Sequence, residues 1–145
     1  MRLIVVLGFF ALLFAPINGA RGDEAANKKD LEAMKGTWSI VSAERNGETV
    51  TDTTVTLAFD GVAKVTVKRG EQLIFDGTVV IDAAKSPKTI DITPESGEQK
   101  GKTIPGIYEV AGDSLKVCSG KERPTDLTAA AGSGRFLRVY KRAAQ

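Results

Sequence analysis

From Thr37 onward, apolar and polar residues alternate in short runs separated by turn residues. Alternation with a period of two marks a half-buried strand. The first run, Thr37 to Glu44, places Trp38, Ile40 and Ser42 on one face, and Asn46-Gly47 follows. That dipeptide suits a tight hairpin turn, because both residues tolerate positive φ. Thr54 to Phe59 groups Val55, Leu57 and Phe59, and Asp60-Gly61 turns the chain into Ala63 to Lys68, with Val65 and Val67 inward. Gln72 to Ile81 aligns Leu73, Phe75, Val79 and Ile81, with Gly77 between them. A glycine inside a long strand predicts a bulge or sharp bend. Thr89 to Thr93 carries Ile90 and Ile92. Lys102 to Val110 is interrupted by Pro105, and Gly112-Asp113 leads into Ser114 to Cys118. A polar loop, Ser119 to Gly134, precedes the last run, Arg135 to Lys141, where Phe136, Arg138 and Tyr140 share a face.

Eight short strands joined mostly by tight turns predict an all-β domain over residues 35–142. Neighbours linked by hairpins favour up-and-down order, and closure into an eight-stranded antiparallel barrel removes exposed edges. The interior of such a barrel is filled by side chains or holds one small ligand. The strand pattern leaves both open.

The first twenty residues follow a different rule. Arg2 precedes an apolar run from Leu3 to Ala15, broken by Gly8, and Pro16 to Ala20 ends in small residues. This order of charge, apolar stretch and small residues is that of a secretory signal peptide. The run is shorter than the roughly 20 apolar residues that span a bilayer. Residues 1–20 are therefore expected to direct export, to the periplasm or outside the cell, with cleavage after Ala20 and no stable membrane insertion afterwards. Residues 21–34 are polar and read as a flexible leader. It ends in one helical turn from Asp30 to Met34, capped by Asp30 and stopped by Gly36.

Charge and composition narrow the function classes. The chain has 20 Lys plus Arg and 18 Asp plus Glu. Without residues 1–20, which hold one basic residue and no acid, the balance is 19 to 18. That is no footprint for nucleic acid. The chain has no histidine, which removes the commonest general base and a common metal ligand. No serine triad, zinc motif or cofactor loop is present, so no catalytic residue, metal or cofactor is expected. The single cysteine, Cys118, forms no intramolecular disulfide. It reads either as a small residue of the barrel wall or as a reactive thiol activated by Arg123. Asp76, Asp82, Asp91 and Asp113 lack the spacing of a calcium loop. The candidate ligand-binding residues of the barrel interior or mouth are Trp38, Ser42, Phe75, Tyr108 and Arg138.

Gly36-Thr37-Trp38 at the first strand, with a basic residue in the last, is similar to the lipocalin signature, in which a cation packs over the indole. Arg138 and Arg142 both qualify for that part. A longer ordered series includes Ser42-Ala43-Glu44, Pro87-Lys88-Thr89-Ile90-Asp91, Gly101-Lys102, Gly106-Ile107-Tyr108-Glu109, Gly112 to Cys118 and Arg123-Pro124-Thr125. Over about Leu31 to Arg142 it resembles a lipocalin-like, calycin-type domain family, abundant in planctomycete-type bacteria, with no assigned activity. Leu127 departs from that pattern, which more often has an aromatic there. The resemblance implies a calycin-type barrel in a bacterial envelope or extracellular protein and implies no activity. The expectation is an exported, non-catalytic barrel that binds a small apolar or amphipathic ligand. The alternative is a structural or protein-interaction module of the envelope with a filled barrel.

Overall fold

A computed structural model describes residues 19–52 and 54–143, with side chains from Asp23 onward. The expected signal peptide lies outside the described residues, apart from the backbone of Gly19 and Ala20. Helix α1 (Gly19–Met34) precedes nine strands. These are β1 (Gly36–Arg45), β2 (Glu48–Val50), β3 (Val55–Phe59), β4 (Lys64–Arg69) and β5 (Gln72–Asp82), then β6 (Thr89–Pro94), β7 (Ile104–Ala111), β8 (Ser114–Ser119) and β9 (Phe136–Arg142). Every pairing is antiparallel.

Neighbours in sequence are neighbours in the sheet, and β1 also pairs with β9, which closes it. Strands β2 and β3 share one edge of β1: β3 pairs with Gly36 to Ser39 and β2 with Ala43 to Arg45. The circumference therefore has eight strand positions, and the expected eight-stranded up-and-down barrel is what the chain forms. Strand β2 is too short, at three residues, to show an alternating pattern in the sequence. The Asn46-Gly47 turn that launches it is as expected, with φ of 52° and 85°.

The helix before the first strand is sixteen residues long, not the single turn expected. Its inward face carries Asn27, Asp30, Leu31 and Met34, at i, i+3, i+4 and i+7. Two of those positions are polar, which hides the apolar stripe that would announce a helix. Their polar groups are used. The Asn27 Oδ1 accepts from the Ala83 amide at 2.7 Å. The Asp30 Oδ2 accepts from the Tyr108 hydroxyl at 2.7 Å and from Lys88 Nζ at 2.8 Å.

α1 thus seals one end of the barrel, and the main core lies against it. Met34, Trp38 and Leu115 are fully buried there. The Trp38 Nε1 donates to the Met34 carbonyl at 2.8 Å. Of the two arginines considered for the indole, Arg142 takes the part, with Cζ 4.3 Å from the ring. Its Nη1 and Nη2 donate to the Lys35 and Ala33 carbonyls, each at 2.7 Å. Gly36 has φ of 114°, and a Cβ on it would sit 3.2 Å from Arg142 Nη1. The Gly-x-Trp pattern therefore has a local cause: the glycine turns the chain from helix to strand while leaving room for the arginine.

Two bulges change which side chains face inward. Ile40 pairs with Tyr140 but Ser42 pairs with Val139, so Val41 is an extra residue in β1. Past it the faces exchange: Ser42 is exposed and Ala43 buried. In β5, Phe75 opposes Val67 and Leu73 opposes Lys68, so Ile74 is the extra residue. Leu73, expected inward, is exposed, while Ile74 and Phe75 both turn toward the interior. The bend expected at Gly77 thus falls three residues earlier. Gly77 itself stays in register with Val65 and Pro94. It serves close approach instead, since a Cβ there would lie 2.9 Å from Pro94 Cα.

Candidate functional site

The interior is not filled. A cavity of about 370 Å³ occupies the barrel at the end away from α1, within the range of small-molecule sites. The alternation of the strands makes its wall apolar, with Leu57, Val67, Phe75, Ile90, Ile92 and Val117 pointing in. The bulge at Ile74 adds one further apolar residue to that wall. Polar groups gather where β1, β2, β4, β8 and β9 end: Arg45, Asp52, Arg69, Ser119 and Arg138.

These polar groups are unequally paired. Arg69 Nε meets Asp52 Oδ2 at 2.7 Å. The Thr54 hydroxyl and amide also donate to Asp52, at 2.6 and 3.1 Å. Those hydrogen bonds, and then Arg69, hold the Asp52 carboxyl below its ordinary range. Arg138 is differently placed. Its Cζ stacks 3.5 Å from the Phe136 ring centroid, with Arg45 over the same ring at 4.4 Å. Its Nη1 reaches the Ser119 hydroxyl at 3.2 Å. Among the described residues, neither Arg45 nor Arg138 lies within ion-pair distance of a carboxylate. Loss of water around Arg138 lowers its pKa, and the like charge of Arg45 lowers it further. Tyr140, two residues on and on the same face, also lines the cavity. Burial pushes its hydroxyl up to about 12, with Arg138 opposing.

Of the five candidate ligand-binding residues, Phe75 and Arg138 share the cavity. Trp38 lies in the floor beneath it, and Tyr108 is buried beside Asp30. Desolvation raises the Tyr108 pKa, and the hydrogen bond to Asp30 raises it further. Ser42 faces outward because of the Val41 bulge and is not part of the wall. The cavity also takes in Arg45, Asp52, Arg69, Ser119, Phe136 and Tyr140, which are not among those candidates. Phe136 and Tyr140 are marked in the sequence by their alternation with Arg138. The charged residues flank turns and carry no pattern of their own.

Cys118 sits on the outer side of β8, alternating with cavity-lining Val117, and is fully buried. Its Sγ donates to the Thr128 carbonyl at 3.6 Å, so the loop before β9 covers it. Burial raises its pKa, outweighing Arg135 and Arg138. Arg123, expected to activate the thiol, is engaged elsewhere: it donates to Asp91 at 2.7 Å and to the Gly106 carbonyl at 2.9 Å. Asp76 accepts from the Ser96 hydroxyl, Asp82 from the Ala84 amide, and Asp113 contacts Arg142. Among the described residues no three His, Cys, Asp or Glu side chains come together as a metal site.

No protein-family profile matches the chain, and no curated protein sequence matches it. Among solved structures, the chain is similar to a variant of the fluorescent protein UnaG. The likeness has a TM-score of 0.44 and 15% identity, covering 79% of this chain and 99% of the other.

Proposed function

We propose that the chain is an exported, non-catalytic binding module that holds a small apolar or amphipathic ligand inside its barrel. The observation that carries this reading is the cavity of about 370 Å³, apolar along its wall and polar at one end. A mostly apolar pocket with a few placed polar groups is the usual form of a small-molecule site. The competing reading, a structural module of the envelope, predicts a solid interior, and the cavity favours the ligand instead. The absence of histidine from the chain supports a binding role over acid–base catalysis. The signal-like order of residues 1–20 supports a periplasmic or extracellular address. The likeness to planctomycete-type lipocalin-like domains is consistent with it.

Native mass spectrometry of the protein purified from its own cell envelope tests this reading. An added mass of roughly a few hundred daltons, the size such a pocket encloses, is the expected result. The recombinant protein should also take up the neutral dye N-phenyl-1-naphthylamine with a rise in fluorescence. Neither an added mass nor dye uptake would mean that the cavity does not serve a ligand.

A further inference from the structure

The cavity carries a charge it does not balance. Three guanidiniums line it, from Arg45, Arg69 and Arg138, against one carboxylate, Asp52. That carboxylate is already committed to Arg69 at 2.7 Å and to Thr54. Arg138 lines the barrel interior and, among the described residues, has only the Ser119 hydroxyl and the Phe136 ring as partners. A positive charge drawn away from water without an anion is costly, and proteins rarely leave one so. Here a second guanidinium, from Arg45, stacks on the same ring, which adds repulsion. Tyr140 lines the same space from the next inward position of β9. Among the described residues, Arg45 and Arg138 thus stand at one end of an apolar cavity with no carboxylate within ion-pair distance.

The geometry points to a ligand with a single carboxylate head, held by Arg138 and Arg45 with Tyr140 as an added donor, its apolar body lying among the aliphatic side chains of the wall. A planar carboxylate matches the guanidinium fork, and charge-assisted hydrogen bonds of this kind are strong. The anion would relieve the repulsion between the two arginines, so its binding is favoured beyond simple contact. This assignment rests on the ligand-binding reading above and names the chemical class of the occupant.

The test is competition against N-phenyl-1-naphthylamine by dodecanoate and by dodecanol, which share a tail and differ in the head. Wild-type protein should bind dodecanoate about tenfold more tightly than dodecanol, or better, the factor that a charged hydrogen bond supplies. Arg138→Met should remove most of that preference, read as the ratio of the two affinities within the one variant. Arg45→Met should reduce the preference by a smaller factor, because Arg45 is exposed to water. Should Arg138→Met fail to fold, Arg138→Lys keeps the charge without the fork and should still lose part of the preference. Equal affinity for the acid and the alcohol, with the dye bound, would overturn the carboxylate assignment and leave the ligand-binding reading standing. A preference for the acid that survives both methionine variants would overturn the assignment to these arginines. Failure of dye, acid and alcohol alike to bind would remove both readings together.

Discussion

Replacing Arg142 by methionine should loosen α1 from the barrel, and the size of the loss follows from its contacts. The guanidinium stacks 4.3 Å from the Trp38 ring, a contact contributing about 0.5–2 kcal/mol. Its two amino groups donate to the Ala33 and Lys35 carbonyls at the C-terminal end of the helix, each at 2.7 Å. Each such bond contributes about 1 kcal/mol net, and a cation at that end of the dipole about 0.3–1 kcal/mol. Contacts sharing one group do not add fully, and methionine retains part of the packing, so the expected loss is about 2–3 kcal/mol. For a domain of this size that is a fall in Tm of roughly 8–15 °C. Urea unfolding read by circular dichroism measures it, with the slope m unchanged. Trp38 is the single tryptophan of the chain, so its emission reports the stack directly and should shift in Arg142→Met but not in Arg138→Met. Hydrogen exchange over residues 23–34 should quicken in parallel. Asp113, whose side chain is 85% exposed, is the control: Asp113→Asn should change stability little despite its 3.2 Å contact with Arg142. A loss below about 0.5 kcal/mol in Arg142→Met, or one fully reproduced by Asp113→Asn, would refute the role given to the stack and the helix-end bonds.

Gly36→Ala should destabilise by about 1–3 kcal/mol, since it forces a side chain onto a positive φ and crowds Arg142, and a thermal melt against wild type measures it. Cys118 should resist an aromatic disulfide reagent in the native protein at pH 8 and react once urea unfolds the chain; prompt native labelling would contradict its burial beneath the Thr128 loop. Stability should fall steeply at alkaline pH. The Tyr140 hydroxyl titrates near 10 in the unfolded chain but at about 12 in the fold. The unfolded state therefore loses the proton first, and stability present below pH 10 is lost as pH rises toward 12. Tyr140→Phe should flatten that decline in a series of melts from pH 9 to 12. A slope unchanged by the substitution would mean that the burial of Tyr140 does not control it.

The strands and their turns were legible because their causes are local. Alternation of apolar and polar residues sets which stretches pair, and Asn46-Gly47 or Asp60-Gly61 can hardly do other than turn. Closed order follows from the same local facts, since hairpin-linked strands have few other ways to cover their edges. The Gly36 and Trp38 pairing was visible as well: the turn from helix to strand is local, while the arginine that Gly36 leaves room for, Arg142, comes from β9.

Alternation stops being a guide where contacts between distant strands set the register. Ser42 and Leu73 would face inward if their strands were regular, but each follows or precedes an extra residue admitted by the partner strand. A one-residue offset exchanges the faces, so no reading of β1 or β5 alone predicts it. The full length of helix α1 is hidden in the sequence because Asn27 and Asp30 point inward, and their partners, Ala83, Lys88 and Tyr108, are more than fifty residues away. The choice of Arg142 over Arg138 for the indole depended on the β1–β9 register, which sets Trp38 opposite Arg142 and Ala43 opposite Arg138. Short-range pattern and turn chemistry were enough to specify an eight-stranded barrel with a tryptophan near its start. The cavity, and the pairing of Asp52 with Arg69 that leaves Arg45 and Arg138 facing one ring without an anion, arose only when strands distant in sequence closed together and their inward volumes and charges failed to sum to a filled, neutral interior.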